Sequence, residues 1–290
     1  MLAVHTVKEV REGVEAPRQS GQVIGLVPTM GSLHEGHARL IEMARQECGF
    51  VVVSIFVNPL QFGPSEDYAK YPRALPQDLD ICRQKGVDLV FAPALDEMYP
   101  SQQLTFTEVL RVSDHLCGAS RPGHFRGVAT VVLKLFNIVQ PDRAFFGEKD
   151  AQQLAVIRRM SVDLNVPVTI VGVATVREPD GLAISSRNRY LSPEHRKIAP
   201  VLYRALQEAE KQVRAGERDA AKVRQAAMKV LHQEPAVQVE YVEVVDSSEM
   251  QPVARVDGDI RIAAAVWLGS TRLIDNVLVS PPGAGGVAAR

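Results

Sequence analysis

Residues 23–45, VIGLVPTMGSLHEGHARLIEMAR, join a short apolar run to a helical pattern through a turn that carries two histidines. The run 23–27 is typical of a buried strand, and the apolar positions of 38–45 recur at helical spacing. His34 and His37 share one face of the first helical turn, close to unpaired backbone N–H groups and the positive end of the helix dipole. This arrangement predicts a polyphosphate site. A polar surface position would explain one histidine, but two in a strand–turn–helix context favour a functional site.

Strands and helices alternate along the first 175 residues. The run 50–57 is continuously apolar and β-branched, as expected of a strand buried on both faces. Such alternation predicts an α/β fold with a doubly wound parallel sheet, that is, a Rossmann-like domain. Ligands bind beyond the carboxyl ends of these strands, so the loops 28–37, 58–64 and 147–150 are expected to converge there. The other predicted strands are at 87–91, 104–110, 143–146 and 168–173, and the predicted helices are at about 6–18, 36–48, 76–85, 128–139 and 151–162.

The character of the sequence changes near residue 175. Ser192 and Pro193 begin a predicted long helix, with Ser192 as its cap and Pro193 in the first helical position. A second helix and two strands of a small antiparallel sheet are predicted at about 219–232, 237–241 and 259–268. We therefore predict one domain of residues 1–175 and a smaller α+β domain of residues 176–290, with residues 280–290 expected to be disordered.

Composition excludes several classes of protein. The chain is 46% hydrophobic and 23% charged, which is ordinary for a globular protein. Its formal net charge of -1 provides no overall field to attract nucleic acid or an anionic membrane. The three cysteines contain no C-x-x-C pair, which argues against a disulfide framework or a zinc site and for a reducing compartment. No apolar run reaches membrane-spanning length, so we expect a cytoplasmic protein.

Further polar residues suit a triphosphate. Lys149 and the segment 185–187, Ser-Ser-Arg, add donors and positive charge to the two histidines, while G-x-x-x-x-G-K-[ST] and G-x-G-x-x-G motifs are absent from the sequence. Donors without a strong base suggest that a substrate attacks the α-phosphate. Each group also has a structural alternative, since Lys149 could belong to a surface helix cap and 185–187 to a helix-entry turn. Gln61 and Gln153 are neutral amides that could orient a hydroxyl or a carboxylate.

Several segments together resemble the pantoate–β-alanine ligase (pantothenate synthetase) family, within the nucleotidyltransferase superfamily with HIGH-type motifs. The resemblance covers nearly the whole chain. The matching segments are PTMGSLHEGH (28–37), SIFVNPLQF (54–62), GEKDAQQ (147–153), SSRN (185–188) and GSTRLIDN (269–276).

The resemblance implies a two-step reaction in the biosynthesis of pantothenate and coenzyme A. ATP and pantoate would give pantoyl adenylate and pyrophosphate, and β-alanine would then displace AMP to give pantothenate. It also implies Mg²⁺ and a homodimer. Residues 1–175 would be the Rossmann-like catalytic domain that binds ATP and pantoate, and residues 176–290 a C-terminal lid domain.

The resemblance also implies roles for individual residues. His37 would be the proton donor, with His34 and Lys149 beside the phosphates. Gln61 and Gln153 would hold pantoate, with Gln61 also near β-alanine, and Asp78 would be associated with the metal. The implied ATP site consists of Met30, Gly31, Ser32, Leu33, His34, Glu35, Gly36, His37, Gly147, Glu148, Lys149, Asp150, Val176, Ile184, Ser185, Ser186 and Arg187.

The chain departs from the family pattern at two positions. In addition, the chemistry of the reaction changes the role expected of the two histidines. Ile184 stands where methionine is common, a swap of similar volume that should preserve packing. Gln77 stands where some relatives carry another acid, which weakens the assignment of Asp78 to the metal. Adenylation and aminolysis need charge stabilisation more than protonation of a leaving group, so we expect His34 and His37 to act mainly as donors to phosphate oxygens.

Other functions are also compatible with the sequence. A different adenylyl- or cytidylyltransferase acting on a phosphorylated alcohol would share the two histidines but would not need Gln61 or Gln153. A nucleotide-sensing module or an RNA-binding relative of aminoacyl-tRNA synthetases belongs to another class. The near-neutral charge and the lack of interleaved basic and aromatic residues weigh against RNA. Either of the loops 60–73 and 115–127 could serve as a lid.

Overall fold

The computed structural model describes residues 1–64 and 66–282, which divide into two compact units. Unit 1 consists of Met1–Leu110, Arg121–Glu148 and Val156–Val176, and unit 2 of Arg111–Ser120, Lys149–Ala155 and the chain from Arg177 onward. Two short segments before residue 175 therefore belong to unit 2. Of the predicted disordered residues 280–290, residues 283–290 lie outside the described part.

The strands and helices follow the predicted alternation in the first half of the chain. The strands are β1 (Leu2–Val4), β2 (Ile24–Thr29), β3 (Phe50–Ile55), β4 (Leu89–Phe91), β5 (Arg143–Gly147), β6 (Thr169–Val173), β7 (Val237–Asp246), β8 (Ile260–Leu268) and β9 (Thr271–Val279). The helices are α1 (Val7–Gln19), α2 (Glu35–Glu47), α3 (Leu75–Gln84), α4 (Leu95–Met98), α5 (Cys117–Ser120), α6 (His124–Val139), α7 (Ala151–Asp163), α8 (Pro193–Ile198), α9 (Val201–Arg214) and α10 (Ala220–Leu231).

Unit 1 is built on a parallel sheet with the strand order β1-β4-β3-β2-β5-β6. The chain winds outward in one direction from β2 and in the other from β5, so the doubly wound fold is confirmed. Val51, Val52 and Val53 of β3 have no solvent exposure, as the uninterrupted apolar run predicted. The carboxyl ends of β2 and β5 are neighbours, and this reversal of strand order is where ligands bind in such sheets.

Two further features of unit 1 concern local chemistry. Thr6 and Glu9 form a reciprocal capping box at the start of α1, which confirms the predicted helix start. Cys48 and Cys82 are buried core residues, and burial raises the pKa of Cys48 to about 11 and that of Cys82 to about 12. Both thiols therefore stay protonated at neutral pH.

The strand predicted at 104–110 was wrong. This segment has no regular secondary structure, and the Leu104 side chain is 82% exposed. The backbone N–H of Thr107 donates to the hydroxyl of Thr130 on α6, at 3.0 Å. A side chain thus satisfies a backbone group that a neighbouring strand would otherwise have paired.

Unit 2 contains the antiparallel sheet β7-β8-β9, against which α9 and α10 pack around one apolar core. The predicted cap is confirmed, because Ser192 Oγ accepts a hydrogen bond from His195 N at 3.2 Å. The predicted long helix was wrong, since it divides into α8 and α9 around Ala199 and Pro200. Proline lacks the N–H that would continue the helical ladder. Strand β9 was not predicted.

Within the described residues, no helix combines the length and the apolar character that crossing a membrane requires.

Candidate active site

A tight left-handed turn connects β2 to α2. Gly31 and Ser32 have φ angles of 80° and 53°, in the region that favours glycine. Thr29 Oγ1 accepts from Gly31 N at 3.2 Å and donates to the carbonyl of Ser54 at 2.8 Å. The turn is therefore tied to the end of β3 before the helix begins.

Asp78, on α3, holds the next two residues of the turn. Its Oδ2 accepts from Ser32 N at 2.9 Å and its Oδ1 from Leu33 N at 2.7 Å. A Cβ at Gly31 would lie 3.0 Å from Asp78 Oδ2, so only glycine fits without a shift. The carboxylate is itself only 2% exposed.

The two histidines cap the helix that they begin. His34 Nδ1 accepts from Gly36 N at 3.1 Å, and His37 Nδ1 accepts from His34 N at 3.3 Å. The ring centroids are 4.1 Å apart. Because each Nδ1 faces a backbone donor, the network assigns the proton of each neutral imidazole to Nε2.

This geometry corrects the expectation of unpaired amides beside the histidines. The amides of Ser32 and Leu33 point to Asp78, and those of His34 and Gly36 point to ring nitrogens. An anion at this turn would therefore be bound chiefly by side-chain donors rather than by these four backbone groups.

Gln61 lies at the end of a 3-10 turn, Pro59–Gln61, that follows β3. Its Nε2 donates to Met30 Sδ at 3.0 Å, and its Oε1 accepts from Asn58 Nδ2 at 3.2 Å. Unit 1 therefore brings Gln61 next to Met30, which precedes the turn at Gly31–Ser32 (the histidine turn, residues 30–37). The sequence predicts both residues in one site. Gln61 is 8% exposed, so its amide has little contact with water. A ligand that binds this amide would therefore replace its weak, neutral contacts to Met30 and Asn58.

Sequence reasoning missed the residues that hold Gln61 in place. The buried side chain of Asn58 accepts from the Tyr99 hydroxyl at 2.8 Å and donates to the carbonyl of Gly127 at 3.1 Å. Burial raises the pKa of Tyr99 far above its ordinary value, so its hydroxyl remains a donor. The signal available in the sequence was the polar Asn58 directly after a buried apolar strand.

The two segments predicted as possible lids, 60–73 and 115–127, are joined by an ion pair within unit 1, and the second is not a plain loop because it contains α5 and the start of α6. Arg121 donates from Nε and Nη2 to the two carboxylate oxygens of Glu66, at 3.0 and 2.5 Å. Burial acts to raise the pKa of Glu66, but the hydrogen bonds and charge of Arg121 outweigh it and keep the pKa below the usual value. His124 Nδ1 also lies 2.8 Å from the carbonyl oxygen of Gln61. Arg121 and His124 therefore hold the segment that contains Gln61, through Glu66 and the carbonyl of Gln61.

Met30 and Gly31 also line a cavity of about 300 Å³ in unit 1. Its wall is mostly apolar, with Phe56 and Leu75 among the lining side chains, and Arg73 provides a positive charge. This volume is at the lower end of the range that small-molecule sites occupy.

The remaining candidate residues of unit 1 lie near strand ends or at the start of α2. Gly147 is the last residue of β5, Glu148 follows it, and Val176 lies three residues beyond β6. Glu35 and Gly36 form the first turn of α2.

Lys149 and Asp150 begin the part of unit 2 that leads into α7. The Lys149 Nζ lies 3.9 Å from Asp150 Oδ2, and the Lys149 side chain is 19% exposed. Asn276 Nδ2 donates to the Lys149 carbonyl at 3.0 Å, and the buried Arg261 donates to Asn276 Oδ1 at 2.6 Å. The backbone of Lys149 is thus held by the closing GSTRLIDN segment.

The two adjacent glutamines of α7 differ in their surroundings. Gln152 is buried and bonds to the backbone of Val112, His115 and Cys117. Gln153 is half-buried. Gln152 is therefore a structural amide, whereas Gln153 retains the exposure that a binding residue needs.

Residues 184–187 lead into a 3-10 turn of unit 2, Ser186–Tyr190. Ser185 caps it by accepting from Arg187 N at 3.3 Å, and Ser186 is buried. The segment 185–187 is thus a helix-entry turn, as its structural alternative predicted. The half-buried Ile184 precedes this segment. The amide of Asn188 holds the segment through the carbonyl of Ala183, at 3.0 Å.

Comparisons with known proteins show the family. The family model for pantoate-beta-alanine ligase matches residues 2–278. Pantothenate synthetase of Pelotomaculum thermopropionicum is 53% identical over 96% of this chain and 99% of its own length. The Moorella thermoacetica enzyme of the same name is 54% identical over the same shares.

Solved structures agree in fold. Pantothenate synthetase of Thermus thermophilus has a TM-score of 0.92 and 49% identity, over 97% of this chain and 100% of its own. Pantoate-beta-alanine ligase of Francisella tularensis, complexed with Beta-gamma ATP and β-alanine, has a TM-score of 0.78 and 35% identity, over 96% and 97%. The chain therefore belongs to the pantoate–β-alanine ligase family.

Proposed function

We propose that the chain joins pantoate to β-alanine in two steps that consume ATP, through a pantoyl adenylate, in the biosynthesis of pantothenate and coenzyme A. Family membership supports the pantothenate-forming ligation. The Francisella relative, with its Beta-gamma ATP and β-alanine, supports these two compounds as substrates. The observation that carries the adenylate mechanism is the pair of imidazoles whose Nδ1 atoms are occupied by backbone donors.

In the first step, a pantoate carboxylate oxygen attacks the α-phosphorus of ATP. A bond forms between these two atoms, the bond from the α-phosphorus to the bridging oxygen breaks, and pyrophosphate leaves. His34 and His37 donate through Nε2–H to phosphate oxygens and stabilise the negative charge that moves toward the leaving group. No proton is transferred in this step, because the pyrophosphate oxygen leaves as an anion.

In the second step, the neutral amine of β-alanine attacks the acyl carbon of the adenylate. The new carbon–nitrogen bond replaces the bond to the AMP oxygen, AMP leaves as an anion, and the nitrogen loses one proton. The step releases a proton, and AMP leaves without taking one up. The site therefore needs hydrogen-bond donors for the phosphate rather than an acid that protonates the leaving group. This balance favours charge stabilisation by the histidines.

The other candidate residues have binding roles in this proposal. Lys149 and Arg187 would bind the triphosphate, with Asp150 toward the ribose and Val176 against the adenine. Gln61 and Gln153 would hold pantoate through their amides, which recognise a hydroxyl and a carboxylate without adding charge.

Mg²⁺ is expected with ATP, but the candidate ligand does not fit the ion well. Among residues 1–64 and 66–282, no three His, Cys, Asp or Glu side chains are grouped so as to hold a metal ion. Both oxygens of Asp78 accept backbone N–H bonds in a buried position. No step of the mechanism is therefore assigned to a metal bound by this residue.

A homodimer in the cytoplasm completes the proposal. The exposed apolar side chains of Leu104, Phe106 and Leu110 in unit 1 provide a candidate contact surface for a second copy.

Two assays test the proposed function. Exchange of labelled pyrophosphate into ATP should require pantoate but not β-alanine, and AMP and pantothenate should form only when all three substrates are present. Exchange without pantoate, or no exchange with it, would reject the adenylate mechanism. Transfer of a nucleotide to a phosphorylated alcohol would instead favour the other transferase.

A further inference from the structure

Asp78 makes contacts that link it directly to the histidine turn. It lies in the first turn of α3, 46 positions after Ser32, and its two oxygens accept from Ser32 N and Leu33 N at 2.9 and 2.7 Å. Hydrogen bonds to an ionised carboxylate are about twice as strong as neutral ones. With 2% exposure, this carboxylate is screened from water, so its contacts count for more than they would at the surface.

The backbone that Asp78 holds has an unfavourable conformation. Ser32 is a non-glycine residue with a φ of 53°, and it follows Gly31, whose φ is 80°. Such conformations persist where the surroundings over-determine them, often at functional sites. The two bonds from Asp78 supply this constraint.

The hydrogen bonds of Asp78 also affect the orientation of the histidine rings. Leu33 is followed by His34, whose own N–H donates to His37 Nδ1 and whose Nδ1 accepts from Gly36. A change in the Ser32–Leu33 backbone would therefore move the N–H group that orients the His37 ring. Displacements of about 1 Å at a reacting centre can reduce a rate by about a hundredfold.

The same contacts argue against a metal ligand. Mg²⁺ requires near-octahedral oxygens at about 2.0–2.1 Å and usually keeps several waters. The Asp78 oxygens instead face two N–H donors, whose positive ends would repel a cation, although the residue also lines the cavity beside Gly31.

We propose that Asp78 is a positioning residue that fixes the left-handed turn at Gly31–Ser32, and with it the two histidine rings, and that it is not a ligand of Mg²⁺. The proposal rests on the proposed function only for its kinetic consequence. Its structural part concerns the protein without ligands.

Hydrogen exchange in the ligand-free protein tests the structural part. Asp78→Asn replaces one acceptor by an NH₂ group that faces an N–H donor, so the amides of Ser32 and Leu33 should exchange about tenfold faster or more. Asp80→Asn is the matched control, because Asp80 is on the same helix, 65% exposed and paired with Arg83. Unchanged protection of Ser32 and Leu33 in Asp78→Asn would overturn the proposal.

A magnesium titration separates positioning from metal binding. In Asp78→Asn, the rate of pantoate-dependent pyrophosphate exchange should fall by about tenfold to a hundredfold, while the Mg²⁺ concentration for half-maximal rate stays within about twofold of the wild type. A rise of about tenfold or more in that concentration, with recovery by excess Mn²⁺, would show a metal ligand and refute the proposal. An inactive wild-type protein would instead count against the proposed function.

Asp78→Glu keeps the test decisive if the asparagine variant does not fold. It retains the charge but displaces the carboxylate by one methylene in a buried position. Positioning predicts faster exchange at Ser32 and Leu33 with an unchanged magnesium requirement. Wild-type amide protection together with an altered magnesium requirement would contradict it.

Discussion

His34 and His37 each use Nδ1 to hold the start of α2, which assigns the proton of a neutral ring to Nε2. The sequence identified these two side chains because of their spacing after a strand. It could not show that their rings also serve as caps, because that depends on ring orientation, which spacing does not determine. The same limit applies to Asp78, whose partners are 45 and 46 positions away.

His37→Gln distinguishes a donor from a proton-transfer group. The glutamine amide can donate a hydrogen bond as Nε2–H does, but it does not titrate near neutral pH. We expect His37→Gln to keep pantoate-dependent exchange within about tenfold of wild type, and His37→Ala to lose about a hundredfold to a thousandfold. The shape of the pH–rate profile should be the same in His37→Gln and wild type.

A severe loss of activity in His37→Gln together with a changed pH–rate profile would argue for proton transfer by the imidazole. Such a result would contradict the charge-stabilising role assigned to His37.

Local elements were predicted well wherever their own residues determine them. The apolar run of β3 and the capping box of α1 need no information from elsewhere in the chain. The segment 104–110 failed because Thr130 supplies a hydrogen bond that no pattern within the segment reveals. The single helix predicted after Pro193 failed because Pro200 lacks the N–H that would continue the helical ladder, although the apolar periodicity is present on both sides of it.

The turn Pro59–Gln61 depends on a hydrogen bond from outside it. Tyr99→Phe removes the donor to Asn58 Oδ1 and leaves that buried oxygen without this partner. We expect a loss of about 1–2 kcal/mol in the free energy of unfolding. Because Asn58 contacts the Gln61 amide, the KM for pantoate should rise more than the KM for ATP. Denaturant titration and steady-state kinetics check these values, and equal changes in both KM values would contradict a role in holding Gln61.

An ion pair across three strands makes unit 2 sensitive to acid. Glu240 on β7 accepts two bonds from Arg272 on β9 and one from Trp267 on β8, each at 2.8 Å. Burial opposes the charge, but the bonds from Arg272, Ser120 and Trp267 outweigh it and lower the pKa of Glu240 to about 2. Since the usual pKa is 4.5, this contribution to stability is present above pH 4.5 and is lost as the pH falls toward 2.

Glu240→Gln tests this acid dependence. The wild type should lose roughly 2 kcal/mol more unfolding free energy than the variant between about pH 6 and about pH 3, with the variant less stable at the higher pH. Urea titrations at the two pH values measure the difference. The prediction fails if both proteins lose the same amount over this range.

For the whole chain, the sequence predicted the architecture more completely than the site. The parallel sheet follows from alternating patterns, and its carboxyl edge follows from topology, so Met30 and Gln61 could be assigned to one site. The polar groups that support them, such as the buried Asn58 and the half-buried Arg121, were missed because each has partners far along the chain. The division into catalytic and lid domains at residue 175 stays a prediction.

The proposed homodimer would cover exposed apolar side chains of the segment 104–110. Leu104 and Leu110 are 82% and 71% exposed, and burying them against a second copy would remove apolar surface from water. We expect a dimer of the wild type in sedimentation velocity, and dissociation to monomers at micromolar concentration for Leu104→Asp/Leu110→Asp. Val162→Asp is the matched control, because Val162 is 72% exposed on α7, outside this segment, and should leave the dimer intact. A monomeric wild type would reject the homodimer, and a dimeric double variant would place its interface on another surface.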